Sequence, residues 1–262
     1  MPAPFAPRFI AHSWRFHSHD VAYAGTMDAA ERVTRLSALR NAGGFPHGFR
    51  DRVHGGLALA EVLAAYKGPD VIVLALPRGG VPVGYEIAHA LGVPLDVLVV
   101  KKIVIPGYEE MAVGATASDG DVVLDEDLIE RLRLDKDEVV GIAGVARAEV
   151  LRREHAYRNH RPPIDVQGRT VILVDDGLAT GSSMRAAVVA LRKRHPVRIV
   201  VAVPVASVDA VLEFQTQADD IVCLAAPDPF YAVGLWYDDF SQTTDAQVRD
   251  LLECAVSFPN GI

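Results

Sequence analysis

The chain has 262 residues, half of them hydrophobic, which is enough to bury a sizeable core in one large domain or a domain with an extension. Its 26 lysine and arginine residues stand against 34 aspartate and glutamate residues, a formal charge of −8. That balance argues against broad non-specific binding to nucleic acid and leaves room only for a local basic pocket. The two cysteines, Cys223 and Cys254, make neither a disulfide framework nor a metal-ligand set, and no apolar run is long enough to span a bilayer. A cytoplasmic chain with no membrane partner is the expectation.

Residues 1–48 read as an N-terminal extension. Pro2, Pro4 and Pro7 break its start, no secretory hydrophobic core follows, and only Asp28–Arg40 has a helical pattern, stopping at Gly43-Gly44. A single domain is expected over 49–262. Within it, Arg50–Tyr66 predicts a helix, Asp70–Leu76 an apolar strand, and Val81–Leu91 a helix ended by Gly92 with Pro94 beyond. Leu95–Val100 predicts a second strand leading into Lys101 and Lys102, and Ala112–Ala117 with Val122–Leu124 a hairpin. A long helix over Asp137–Arg158 carries Arg147, Arg152, Arg153 and Arg158, read as a basic face toward solvent, with a phosphate or a neighbouring subunit as the alternatives. Strand Thr170–Val174, helix Thr180–Arg194, strand Val197–Val203, helix Val208–Gln217 and strand Ile221–Leu224 follow, with Cys254 in a C-terminal helix. Apolar strands alternating with amphipathic helices predict an α/β fold, an open, mostly parallel sheet flanked by helices. Ligands of such sheets bind beyond the C-terminal strand ends, which singles out the loops after Leu76, Val100 and Val174.

The most informative of these loops follows Val171-Ile-Leu-Val174. Asp175 and Asp176 emerge from the strand, and Gly177, Leu178, Ala179, Thr180, Gly181, Ser182 and Ser183 lead into a helix. Glycines let successive N–H groups turn inward as a concave anion site, and a helix N-terminus adds unpaired donors. No Gly-Lys-Ser/Thr follows, so this is not a Walker loop, and the carboxylates exclude a dinucleotide fingerprint. A plain acidic cap on the next helix would not need the paired acids, both glycines and the hydroxyls together.

Val171–Ser183 resembles the signature of the type I phosphoribosyltransferases and looks most like their adenine-specific branch; the likeness extends over about Phe49 to Phe240. The resemblance implies a small hood and a flexible loop or hairpin beside the sheet, with residues 1–48 completing the hood. It implies that Asp175 and Asp176 bind the ribose hydroxyls of 5-phosphoribosyl 1-diphosphate and help hold Mg²⁺, directly or through water or substrate. Gly177–Ser183 would wrap the 5-phosphate. Arg78, Gly79 and Gly80 would hold the diphosphate, with a strained or cis peptide at Arg78–Gly79; an ordinary strand-to-helix turn is the alternative. Lys101 and Lys102 would stabilise the departing diphosphate, and Glu109 or Glu110 would orient the nucleophile or act as a base; surface lysines and a solvated acidic turn are the alternative. Among the aromatics of Pro229–Phe240, Trp236 and Tyr237 are the candidates for stacking on a planar acceptor, against packing of the C-terminal helix.

The implied activity is Mg²⁺-dependent transfer of a phosphoribosyl group to a nitrogenous acceptor, a nucleobase or amine, with release of diphosphate, in nucleotide metabolism and as a homodimer. Two alternatives stay open: a non-catalytic sensor of the same sugar phosphate, and a phosphorolytic or hydrolytic enzyme of nucleosides or nucleotides. An RNA-binding regulator conflicts with the acidic charge.

Overall fold

The computed structural model describes residues 48–106, 112–117, 122–159 and 161–258. Helix α1 (Arg52–Leu63) starts at Asp51, whose carboxylate accepts the His54 N–H at 2.8 Å. Strand β1 (Val71–Ala75) leads to helix α2 (Gly80–Leu91), which ends at Gly92 with φ 65°. Strand β2 (Leu95–Val97) follows, then β3 (Val100–Val104), β4 (Ala112–Ala117) and β5 (Val122–Leu124). Helices α3 (Glu126–Arg131) and α4 (Lys136–Arg158) precede β6 (Thr170–Val174) and α5 (Ser182–Lys193). The chain continues through β7 (Arg198–Val205), α6 (Val208–Gln217), β8 (Asp220–Ala225) and α7 (Asp245–Ala255).

Strands β2-β1-β6-β7-β8 form a five-stranded sheet in that order, every pair parallel, so the expected α/β architecture holds. The strands are apolar throughout because both faces are covered, and side-chain alternation divides them between two cores. Val71, Val73 and Ala75 of β1, with Ile172 and Val174 of β6, face α1, α2 and α7. Ile72, Leu74, Val171 and Leu173 face α5 and α6.

The expected strand Leu95–Val100 is in fact split. Leu98 N–H still donates to the Ala75 carbonyl at 3.0 Å, but from Val100 the chain joins a second, antiparallel sheet of order β3-β4-β5. The reason lies in Lys101 and Lys102: a strand buried on both faces cannot take charged side chains without partners, whereas in β3 both are exposed while Ile103 is buried. The expected hairpin is present as β4–β5, with Gly114 opposite Leu124 and Thr116 opposite Val122. Arg158 departs from the expected solvent-facing row. It is 5% exposed, pairs with Asp96 and Glu154, and thereby ties the end of α4 to β2. Arg152 and Arg153 are exposed and share Glu149.

Candidate functional site

The site forms where β1 and β6 end. Helix α5 begins at Ser182, two residues later than expected, after Gly181 in the left-handed region at φ 65°. A Cβ on Gly181 would also lie 2.6 Å from the Phe214 ring, so both conformation and space require glycine there. The loop's outer edge is fixed by β7 and the turn after it. Leu178 N–H donates to the Val205 carbonyl at 3.0 Å, Ser207 N–H to the Leu178 carbonyl at 2.9 Å, and Ser207 Oγ to the Ala179 carbonyl at 2.8 Å. Ala179, Thr180 and Ser183 stay exposed at the mouth, next to the unpaired N–H groups with which any helix begins. The segment Gly177–Ser183 is therefore a loop held at its outer edge, with helix-start N–H groups of the kind that suit an anion.

Asp175 and Asp176 stand at its inner rim. Asp175 Oδ1 accepts the Asp176 N–H at 2.8 Å. Burial, reinforced by the adjacent Asp176 carboxylate, pushes Asp175 well above the usual carboxylate range. Burial raises Asp176 as well, and the Arg52 guanidinium opposes that rise by donating Nε to Asp176 Oδ2 at 2.8 Å.

The loop after β1 faces these acids from the side. Its Pro77–Arg78 peptide is cis, one bond earlier than the Arg78–Gly79 position expected. A Cβ on Gly79 would collide with Asp176 Oδ2, and one on Gly80 would lie 2.7 Å from the Val174 carbonyl oxygen, so the two glycines let this loop lie directly on the end of β6. The Arg78 guanidinium reaches the first turn of α7, 3.8 Å from Asp245 Oδ1. Lys102 donates from Nζ to Ser182 Oγ at 3.2 Å, on the 5-phosphate side of the expected site. Lys101, the next residue along β3, projects from the opposite face of the strand. Glu109 and Glu110 lie outside the described residues.

Residues 54–231 match the model of the phosphoribosyl transferase domain. The chain belongs to this family. It is 42% identical over 207 residues to Mycobacterium tuberculosis proteins provisionally named phosphoribosyl transferases, covering 79% of this chain and 47% of theirs. The chain thus matches about half the length of these curated relatives. The solved structure of TT1426 from Thermus thermophilus superimposes with a TM-score of 0.72 at 43% identity, covering 78% of this chain and 97% of that one. A shorter stretch of 89 residues, 34% of this chain and 42% of the relative, is 38% identical to a uracil phosphoribosyltransferase of Lactobacillus gasseri.

Against this phosphoribosyl transferase framework, one of the two aromatic candidates, Tyr237, needs correction. Tyr237 is 7% exposed, and its ring packs between Phe49 and Phe240, with centroids 5.6 and 5.1 Å away. Its hydroxyl, raised above its usual range by burial, donates to the Asp176 carbonyl at 2.5 Å. Tyr237 therefore supports the acid from below and offers no open face to a base. Trp236 is part-buried against the Phe49, Val205 and Tyr237 cluster, and its carbonyl accepts the Phe49 N–H at 2.7 Å. Packing is the role found for Tyr237, whereas Trp236 remains partly exposed.

Arg52 was not singled out by sequence reasoning, although a signal existed. A cation in the first turn of a helix opposes the helix dipole, and such a mismatch asks for an anionic partner; that partner is Asp176. Among the described residues, no group of three or more His, Cys, Asp or Glu side chains comes together. Two carboxylates suit Mg²⁺ bound mainly through substrate oxygens and water, its common manner of binding, and not an all-protein cage. No helix among the described residues is long and apolar enough to cross a membrane.

Proposed function

We propose that this protein transfers the phosphoribosyl group of 5-phosphoribosyl 1-diphosphate to a nitrogen nucleophile, with release of diphosphate. One observation carries the reading: the adjacent acids Asp175 and Asp176 stand between an anion cradle at the start of α5 and the glycine-lined loop that lies on the end of β6. A donor with phosphates at both ends of a pentose needs that sequence of features, anion site, hydroxyl acceptors, anion site. In this reading Gly177–Ser183 grip the 5-phosphate, with Lys102 adding charge beside Ser182. Asp175 and Asp176 accept from the ribose hydroxyls, and Gly79 and Gly80 admit the diphosphate close to backbone N–H groups.

The bond from C1 to the diphosphate oxygen breaks with its electron pair leaving on diphosphate, so positive charge grows on the sugar. The half-buried acids offset that charge where water is partly excluded and electrostatics are stronger than in bulk solvent. The nitrogen nucleophile then forms its bond to C1 and passes its proton to the released diphosphate or to solvent. Mg²⁺, held through substrate oxygens beside the twin acids, would supply further neutralisation of the diphosphate. The partial likeness to a uracil phosphoribosyltransferase supports a nucleobase as the acceptor class. A cytoplasmic setting and a homodimeric state belong to the same proposal.

The test is diphosphate release with Mg²⁺ against a panel of bases and amines, comparing wild type with Asp176→Asn. The variant is expected to lose about 10- to 100-fold in kcat/KM for the donor, the scale of one charge-assisted hydrogen bond. Donor binding and turnover that both match wild type would reject the assigned role. Tight donor binding by wild type with no turnover on any acceptor would favour the sensor.

A further inference from the structure

The Arg52 guanidinium is held at three points. Nε donates to Asp176 Oδ2 at 2.8 Å, Nη1 donates to the Ser241 carbonyl at 2.7 Å, and Cζ lies 4.0 Å from the centroid of the Phe240 ring. The side chains of Arg52 and Asp176 are only 11% and 15% exposed. The Gly79 backbone covers the pair, since a Cβ there would lie 3.1 Å from Arg52 Nε and would collide with Asp176 Oδ2. One side chain thus touches an acid assigned to the ribose, the loop assigned to the diphosphate, and the segment that follows β8. None of the recognised loops contains it; it comes from the start of α1.

This position matters because of charge. The donor brings a 5-phosphate and a diphosphate toward two adjacent carboxylates, and repulsion between anions is strengthened where solvent is partly excluded. Resting on the phosphoribosyl transfer reading above, we propose that Arg52 is a positioning residue for the donor, a fixed guanidinium that orients Asp176 and offsets its charge so that the donor binds at lower Mg²⁺ concentration than the bare acid pair would require. Three contacts hold the planar fork of the guanidinium in place without the donor, so little of its freedom remains to be lost on binding. It engages Asp176 through one oxygen, Oδ2, and leaves Oδ1 outside that contact.

The experiment measures donor binding by calorimetry and initial rates across a Mg²⁺ titration for wild type, Arg52→Gln and Arg52→Lys. Arg52→Gln is expected to raise the donor KM about 10- to 100-fold, the scale of a charge-assisted contact, and to move half-saturation by Mg²⁺ upward, with kcat within a few-fold of wild type. Arg52→Lys restores charge without the fork, so its Mg²⁺ requirement returns to that of wild type while its donor KM stays raised by about threefold to tenfold. An Arg52→Gln enzyme with a lower melting temperature and a smaller active fraction, but unchanged KM and Mg²⁺ profile, overturns the inference. Should Arg52→Gln fail to fold, Arg52→Lys decides, and an unchanged donor KM in that variant overturns it as well. A wild-type protein that binds no donor rejects the phosphoribosyl reading itself, an outcome distinct from either.

Discussion

Two adjacent carboxylates withdrawn from water are an expensive arrangement, and Asp175 carries the larger part of the cost. Burial first, then the Asp176 charge, pushes it well above the usual carboxylate range. A group whose proton is held more tightly in the folded than in the unfolded chain contributes stability that is complete below the unfolded value, about 3.9 for Asp, and is lost as pH rises through the folded value. As pH rises above that unfolded value, the growing cost of ionising the pair therefore weakens the fold. Asp175→Asn is neutral at every pH and keeps an oxygen to accept the Asp176 N–H. The variant is expected to melt a few degrees higher than wild type near pH 7, with the gain shrinking toward pH 4, and to bind the donor more weakly. Melting curves between these limits check it, and a pH-independent loss of stability would show that the acids are not strained. Stability given up at a site in this way is what a pocket prepared for a polar ligand requires.

The elements matter through how closely they approach. Helix α2 starts against the end of β6 because Gly80 has no side chain: a Cβ there would lie 2.7 Å from the Val174 carbonyl oxygen and 2.9 Å from Asp175 Cα, both backbone atoms that cannot swing aside. Gly80→Ala is expected to destabilise by about 1–3 kcal/mol, the usual cost of overpacking, and to raise the donor KM at least tenfold by shifting Asp175. The contrast is Gly141→Ala on α4, where a Cβ meets nothing within 4 Å. Relieved of glycine's backbone entropy, that helix should gain about 0.5–1 kcal/mol with unchanged KM. Chemical denaturation and donor kinetics on the two variants separate the cases. The same distinction explains what the sequence disclosed. β1 and β6 were legible because burial on both faces leaves an unbroken apolar run, and the cradle because its thirteen residues, Val171–Ser183, are contiguous. The departure of β3 into a second sheet was not legible, since local pattern predicts a strand but not its neighbour. Arg52 and Tyr237 meet Asp176 across 124 and 61 residues of chain, and no periodicity encodes such meetings. Tyr237 misled because a ring suited to stacking on a base is equally suited to packing on Phe49.

At the scale of the whole molecule, helix α4 joins the two sheets. Val139, Ala143 and Ala146 in its first half pack with Ile103, Ile105 and Val113 of the antiparallel sheet, while Val150 and Tyr157 in its second half enter the core of the parallel sheet. Its end is locked by Arg158, which donates Nε to both Asp96 oxygens at 2.9 and 3.0 Å, Nη1 to Glu154 at 2.6 Å and Nη2 to the Val97 carbonyl at 2.7 Å. Asp96 in turn accepts the Val97 and Ile164 N–H groups, so this network fastens β2, α4 and the chain leading to β6 together. Through α4 the lock also bears on the cradle, because the sheet that α4 supports carries Lys102 to Ser182. Arg158→Met fills comparable volume but removes the Arg158 cation from the buried carboxylates Asp96 and Glu154. The expected loss is about 3–5 kcal/mol in denaturant unfolding, the usual consequence of removing one side of a buried pair. A loss below about 1 kcal/mol, the range of solvent-exposed pairs, would mean that water reaches this junction and that the antiparallel sheet is positioned by its hydrophobic contacts alone.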